Sequence, residues 1–343
     1  MRSSSLERTD VAVLWGGILF SFLFTAVIWW AGRFLTDVRL LPDLGPSWYY
    51  WQLPEPTFWT RATSWGGYIL HQVAIWGTIF YAQKHVKRYT SGLHAVNIAA
   101  LSINVVFILF HFVQTHIWYD GLAQDTSIFT SQGSVILLLV WVLLMENKRR
   151  GMFFGKPLRI WKDIIQMARK YHGYVFSWAI IYTFWFHPME STSGHLIGFL
   201  YTFLLLLQGS LFFTRIHVNR WWMVTQELLV LVHGTMVAYM QYGMSGFWPM
   251  FFFGFFGIFV ITQMHGLGLS RAVRWVIGGV YIGSVLLVYN GIRGWENLDE
   301  IIRVPLIEYA LVLVLAGIIA LLIGIARLLT FKRRRPMDEP SAS

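Results

Sequence analysis

Residues 11–32 read VAVLWGGILFSFLFTAVIWWAG. The run carries no charge and is long enough, as a helix, to cross a hydrocarbon core of about 30 Å. It follows a short Arg-containing N-terminus, exceeds a signal-peptide core in length and ends in no small-x-small cleavage site, so it reads as a retained helix. Nine further apolar segments follow, near 64–83, 93–118, 131–146, 171–187, 195–213, 221–242, 247–264, 272–290 and 305–328. The chain has 343 residues, of which 56% are hydrophobic and 13% charged. A soluble domain carries about 25% charged residues, so the bilayer is the solvent here. No long polar stretch exists to build a soluble domain, which leaves one membrane domain over residues 1–343. The expected fold class is all-α: a polytopic integral membrane protein of about ten transmembrane helices, with N- and C-termini cytoplasmic.

Charge sets that direction. With the N-terminus inside, the outer segments hold only Arg33, Arg39, Arg61, Arg293 and Arg303 of the 27 Lys and Arg residues. The rest gather in the inner segments, among them Lys84, Lys87 and Arg88, the run Lys148-Arg149-Arg150, Arg215, Arg220, Arg271, Arg274 and the tail Lys332-Arg333-Arg334-Arg335. This is the positive-inside pattern of a multi-pass protein in the cell's inner (plasma) membrane, and merging or splitting a span would spoil it. The net charge of +10 therefore points to membrane lipids as partners and away from nucleic acid. The absence of cysteine excludes disulfides, Cys-ligated zinc, iron–sulfur clusters and a thiol nucleophile. No internal repeat is evident.

Two connections exceed simple turns. The outer loop 33–63 sets Pro42, Pro46, Pro54 and Pro56 among Trp48, Tyr49, Tyr50, Trp51, Phe58 and Trp59. It is expected to lie along the outer interface, where amphipathic rings sit, with capping of a pocket as the alternative. In the inner loop, Leu158, Trp161, Ile165 and Ala168 share one helical face, which predicts an amphipathic surface helix over about 157–170.

Polar side chains inside the spans need a protein partner or a cavity. Heptad spacing puts them on single faces: His71, Thr78 and His85; Asn97, Asn104 and His111, with His94 a turn earlier; His195 and Thr202; Gln226 and His233. The simplest packing sets spans 2, 3, 5, 6 and 7 around a polar interior and leaves spans 1, 4, 9 and 10 toward lipid, with span 8 ambiguous. Topology places His71, His111, His116, His187 and His195 outward and His85, His94, His172, His217 and His265 inward, with His233 near mid-span. A purely structural role, as interhelical hydrogen-bond glue, accounts for any one of them.

Two chemical readings compete with that role. His71 and His85 lie about 21 Å apart along one helix, and His172 and His187 about 22 Å. His71 with His187, and His85 with His172, then suit the axial positions of two stacked b-type haems. This spacing resembles that of di-haem membrane cytochromes b, which implies transmembrane electron transfer with a quinone or redox partner protein. The second reading gathers His111, His116, Asp120, His187, Glu190 and His195 into a non-haem Zn, Fe or Cu site acting on a lipid or hydrophobic substrate at the outer face. A third, transport or lipid binding, rests on the intramembrane Glu227 beside Gln226, six residues from His233. The leading expectation is a redox protein with a His-ligated metal centre. The haem reading predicts a Soret band that shifts on reduction. The non-haem reading predicts stoichiometric metal by elemental analysis, lost in the double variant His116→Ala, His187→Ala.

Overall fold

The computed structural model describes residues 9–45 and 48–334. The basic N-terminus (residues 1–8), Pro46 and the tail from Arg335 onward lie outside the described residues. The chain is all-helical, with α1 (Thr9–Ala31), α2 (Phe58–His85), α3 (Ala95–Trp118), α4 (Ile128–Arg150), α5 (Lys162–Phe186), α6 (Ser193–Ser210), α7 (Arg220–Tyr242), α8 (Trp248–Ile261), α9 (Arg271–Val288) and α10 (Glu300–Arg334). Seven segments, containing α1, α3, α4, α7, α8, α9 and α10, are long and apolar enough to cross a membrane. The chain is therefore a multi-pass membrane protein by the length and composition of its helices. Helices α2, α5 and α6 fall short because His71, Gln72, Gln83, Lys84, Lys162, Asp163, Arg169, His195 and Gln208 dilute their apolarity.

One helix replaces two expected elements. Residues 157–161 are not helical, and α5 runs unbroken from Lys162 to Phe186. No separate surface helix over 157–170 exists. The reason is packing: Ile164 and Ala168 are buried against α4, the Trp141 indole donates to the Ala168 carbonyl at 3.0 Å, and Arg169 donates to the Met145 carbonyl at 2.9 Å. Trp161, expected on the same apolar face as Ile165 and Ala168, is 75% exposed. Asn147 instead holds the extended Leu158 backbone through paired bonds of 2.9 and 3.0 Å.

Among the described residues, two of four apolar cores organise most of the bundle. One joins α1, α2, α3, α5 and α6 through Phe24, Ile75, Ile108, Phe184, Trp185 and Phe203. The other joins α4, α8 and α10, with the start of α5, through Leu144, Ile258 and Val312. Helix α6 touches α1, α3, α5 and α7, so it lies inside the bundle. Helix α9 buries only Val285, so its place is at the edge. The expected grouping of spans 2, 3, 5, 6 and 7 meets a departure at α4, which bridges the two cores and carries a buried charge.

That charge is Arg150, whose guanidinium forks onto the Glu227 carboxylate on α7. The two side chains are 2% and 8% exposed. Glu227, singled out beside Gln226 and six residues from His233, has Arg150 as its partner. Losing one member of such a pair strands the other in a dry interior. Glu227→Gln or Arg150→Met alone should therefore cost about 3–5 kcal/mol, whereas Arg150→Met with Glu227→Leu should recover most of it. Reversible denaturation in mixed micelles checks this, and a double variant no better than the singles would contradict it.

Candidate functional site at the outer end of the bundle

The polar stripes of α3 meet α6, α2 and α5 in a hydrogen-bonded ladder. Asn97 donates to the Ser210 and Phe212 carbonyls, both at 2.8 Å. Asn104 donates to Ser210 Oγ at 2.8 Å and bonds His71 Nε2 at 2.7 Å. The Trp185 indole donates to His71 Nδ1 at 3.3 Å. A neutral imidazole has one donor and one acceptor nitrogen. Nδ1 accepts from Trp185, so Nε2 carries the proton and donates to Asn104. His111 bonds Gln114 at 3.0 Å through Nδ1 and the His187 carbonyl at 2.8 Å through Nε2.

This ladder does not suit the proposed haem pairs. Both nitrogens of His71 are engaged, and its ring stacks on Phe107 with centroids 4.5 Å apart. Trp185 also lies against His111, at 4.4 Å between centroids, so packed side chains link His71 to His187 where a porphyrin would have to enter. At the inner end, His85 is exposed, stacks on Tyr81 and bonds its own helix at the Tyr81 carbonyl. His172 has His217 as its imidazole neighbour, at 6.4 Å between centroids.

Beyond the ladder, a second group forms where residues 48–57 fold over the bundle. Gln52 donates to the Ala123 carbonyl. Leu53 and Gln124 exchange bonds of 2.9 and 3.1 Å. The loop centre thus enters the protein: Tyr49 is 6% exposed, while Phe58 and Trp59 are 74% and 62% exposed. Phe58 and Trp59 face outward from the protein, whereas the Tyr49 hydroxyl finds a buried partner. Tyr49 Oη lies 2.5 Å from His195 Nε2, and Thr192 Oγ1 lies 2.6 Å from His195 Nδ1. The two bonds must run in one sense, from Tyr49 through His195 to Thr192 or the reverse. Burial holds the Tyr49 phenol well above its usual range, with Tyr119 and Glu190 adding to the effect.

His187 stands beside this relay, with ring centroids 5.0 Å from Tyr49 and 5.5 Å from His195. Its Nδ1 is buried without a hydrogen-bond partner. His233 reaches the same place from α7, its Nε2 close against Gly198; a Cβ there would approach it to 3.2 Å. Trp51 packs edge-on against His195 at 4.6 Å.

The expected metal ligands are only partly gathered. His111 and His195 have both nitrogens occupied. His116 and Asp120 do not share a helical face, because α3 ends at Trp118 and Tyr119 adopts a left-handed φ of 40°. Asp120 bonds the Gly121 amide at 2.8 Å and leaves its other oxygen buried and unpaired. His116 keeps an unpaired Nε2, and Glu190 lies near it. Among the described residues, no three His, Asp or Glu side chains converge to hold a metal ion. Gln226 has both amide atoms buried and unpaired and no bond to His233. Sequence patterns assigned no role to Thr192 and Tyr119, and placed Tyr49 and Trp51 only in an interfacial or pocket-capping loop. The Trp48–Trp51 aromatic run between prolines, and a Thr three residues before His195, were their only signals. Those patterns also overlooked Glu308 on α10, 2% exposed with one oxygen unpaired.

No protein-family model matches the chain, and comparison with characterised proteins and with solved structures gives no match.

Asp120 offers a pH test. Burial raises its carboxyl to about 7, with Asp125 adding to the effect against the Gly121 amide. An unfolded Asp titrates near ~3.9. Between the two values the folded state binds the extra proton, so stability is highest at low pH and falls as pH rises through this window. Asp120→Asn, which keeps the Gly121 bond, should flatten that fall and be the more stable protein above pH ~7. Thermal melts in detergent across pH check it, and parallel curves would refute it.

Proposed function

We propose that the chain crosses the plasma membrane ten times with both termini cytoplasmic, and that its outer cluster is an acid–base site for the polar end of a lipid-like substrate. The inward concentration of Lys and Arg supports the topology. So do the lengths of α2, α5 and α6, at 28, 25 and 18 residues, about 42, 37 and 27 Å at roughly 1.5 Å per residue. Helices whose polar faces meet each other need less apolar surface than those at the edge.

The observation that carries the site is the Tyr49–His195–Thr192 relay beside a partnerless His187 nitrogen. Within the relay, a proton gained at one end of the imidazole is matched by one released at the other, so His195 can pass a proton without holding charge in a dry enclosure. His187 Nδ1 then lacks only the partner that a substrate hydroxyl or carbonyl supplies. Electron transfer through haem draws no support from His71, whose nitrogens are both engaged. Native extraction in a mild detergent followed by mass spectrometry tests the proposal. The wild type should retain a defined hydrophobic ligand near one per chain, and folded His187→Ala should retain roughly tenfold less, as expected for a lost buried hydrogen bond. Equal retention would remove the site from consideration.

A further inference from the structure

Three arginines from three helices converge on the short loop that joins α8 to α9. Arg149, at the end of α4, donates to the Gly266 carbonyl at 3.1 Å. Arg274, on α9, bonds His265 Nδ1 at 3.1 Å. A guanidinium only donates, so Nδ1 accepts and His265 Nε2 carries the proton that meets the Val260 carbonyl at 3.2 Å. Arg220, which opens α7, lies against Gly268: a Cβ there would stand 2.8 Å from its Nη1. Gly268 also holds a left-handed φ of 73°, so the turn and the close approach both call for glycine. The charges at this loop are unequal. Arg149 and Arg150 have Glu146 and Glu227 as partners. Among the described residues, Arg220 and Arg274 meet no carboxylate within ion-pair distance, and Arg274 Nε finds no acceptor.

The positive-inside rule accounts for basic residues at these helix ends, but not for their meeting at one loop. Guanidinium groups with open donors, brought together from separate helices, fit the oxygens of a phosphate, which accept several bonds at once. Helix α9 begins at the same loop, and its positive N-terminal end adds to the attraction. Exposed rings border the group. Trp221 and Trp275 directly follow Arg220 and Arg274, and Phe154 stands edge-on to His265 at 6.1 Å between centroids. Such rings favour the membrane interface, so the phosphate that suits this place is one carried on acyl chains. We propose that the α8–α9 loop binds the phosphate of an anionic phospholipid, with Arg220 and Arg274 as its main contacts. The site is separate from the cluster around Tyr49 and does not depend on it. Only its leaflet rests on the proposed topology, which turns the loop toward the anionic lipids of the cytoplasmic side.

The experiment titrates the purified full chain, stripped of lipid in a neutral maltoside, with phosphatidylglycerol and phosphatidylcholine of matched acyl chains, read by native mass spectrometry. Phosphatidylglycerol should bind roughly tenfold or more tightly. Arg220→Gln with Arg274→Gln should remove most of that preference and leave phosphatidylcholine binding as it was. Arg88→Gln with Arg215→Gln takes as much charge from the α2–α3 and α6–α7 connections and should keep the preference. Equal binding of the two lipids by the wild type overturns the proposal. So does an equal loss in both double variants, because net charge alone would then explain the preference. Displacement of bound phosphatidylglycerol by millimolar inorganic phosphate would assign the arginines to a free anion and overturn the lipid. Arg220→Gln alone, at an exposed side chain, serves if the first double variant does not fold; it should lose about threefold, and no loss would count against the site.

Discussion

The indole of Trp185 is wholly buried between α2, α3 and α5, and its N–H must find an acceptor where neither water nor lipid supplies one. His71 Nδ1 is that acceptor. The choice propagates: His71 must donate from Nε2, Asn104 must receive, and the Asn104 amide must reach Ser210 on α6. Four helices are thereby registered by one donor's requirement. The indole also dictates its neighbours' size. A Cβ at Gly67 would collide with the Trp185 ring, and one at Gly121 would collide with the Phe186 carbonyl. Glycine at these two positions lets α2 and the α3–α4 loop approach α5.

The ladder explains why only part of the histidine set is available for chemistry. His71 and His111 are fully buried, and each is bonded at both nitrogens. Satisfied polar groups of this kind rigidify an interior and specify its packing. The outer end is different. His187, His116, Tyr119, Asp120 and Trp48 each keep a buried polar atom without a partner. Native interiors leave few such atoms, and each asks for a water, an ion or a ligand. Others lie elsewhere, on Gln72, His94, Gln226, Tyr289 and Glu308 among them, so the group beneath this loop stands out only by its nearness to the relay and to a tyrosine in a strained backbone conformation.

Much of the scaffold was legible in the chain and little of the site was. Hydropathy located the helices, and heptad spacing put Asn97, Asn104 and His111 on the face that does meet α6 and α5. Periodicity identifies a face but not the partner opposite it, and so the same residues suggested iron ligands. The difference between a free and an engaged imidazole depends on Trp185 and Gln114, which no spacing rule connects to His71 and His111. Glu227 illustrates the same limit, because Arg150 is separated from it by two intervening helices of sequence. Tyr49 was misjudged for another reason. An aromatic, proline-rich loop has one composition whether it lies on headgroups or folds inward, and only the buried acceptor on His195 decides between them.

The two buried polar systems are complementary in design. Between α4 and α7, full charges face each other, so the pair is costly to break and has no need of a ligand. Around Tyr49 and His187 the histidines are served by neutral hydroxyl, amide and carbonyl groups, while the Arg61–Asp125 pair nearby is partly exposed. A neutral network can exchange its internal partners for those of a bound molecule at small electrostatic cost, because no charge is stranded when a bond moves. An ion pair cannot do so. Plasticity is therefore expected where Tyr49 and His187 meet, and rigidity where Arg150 meets Glu227. That division sets a rigid contact between α4 and α7 against an exchangeable one beneath the loop that precedes α2.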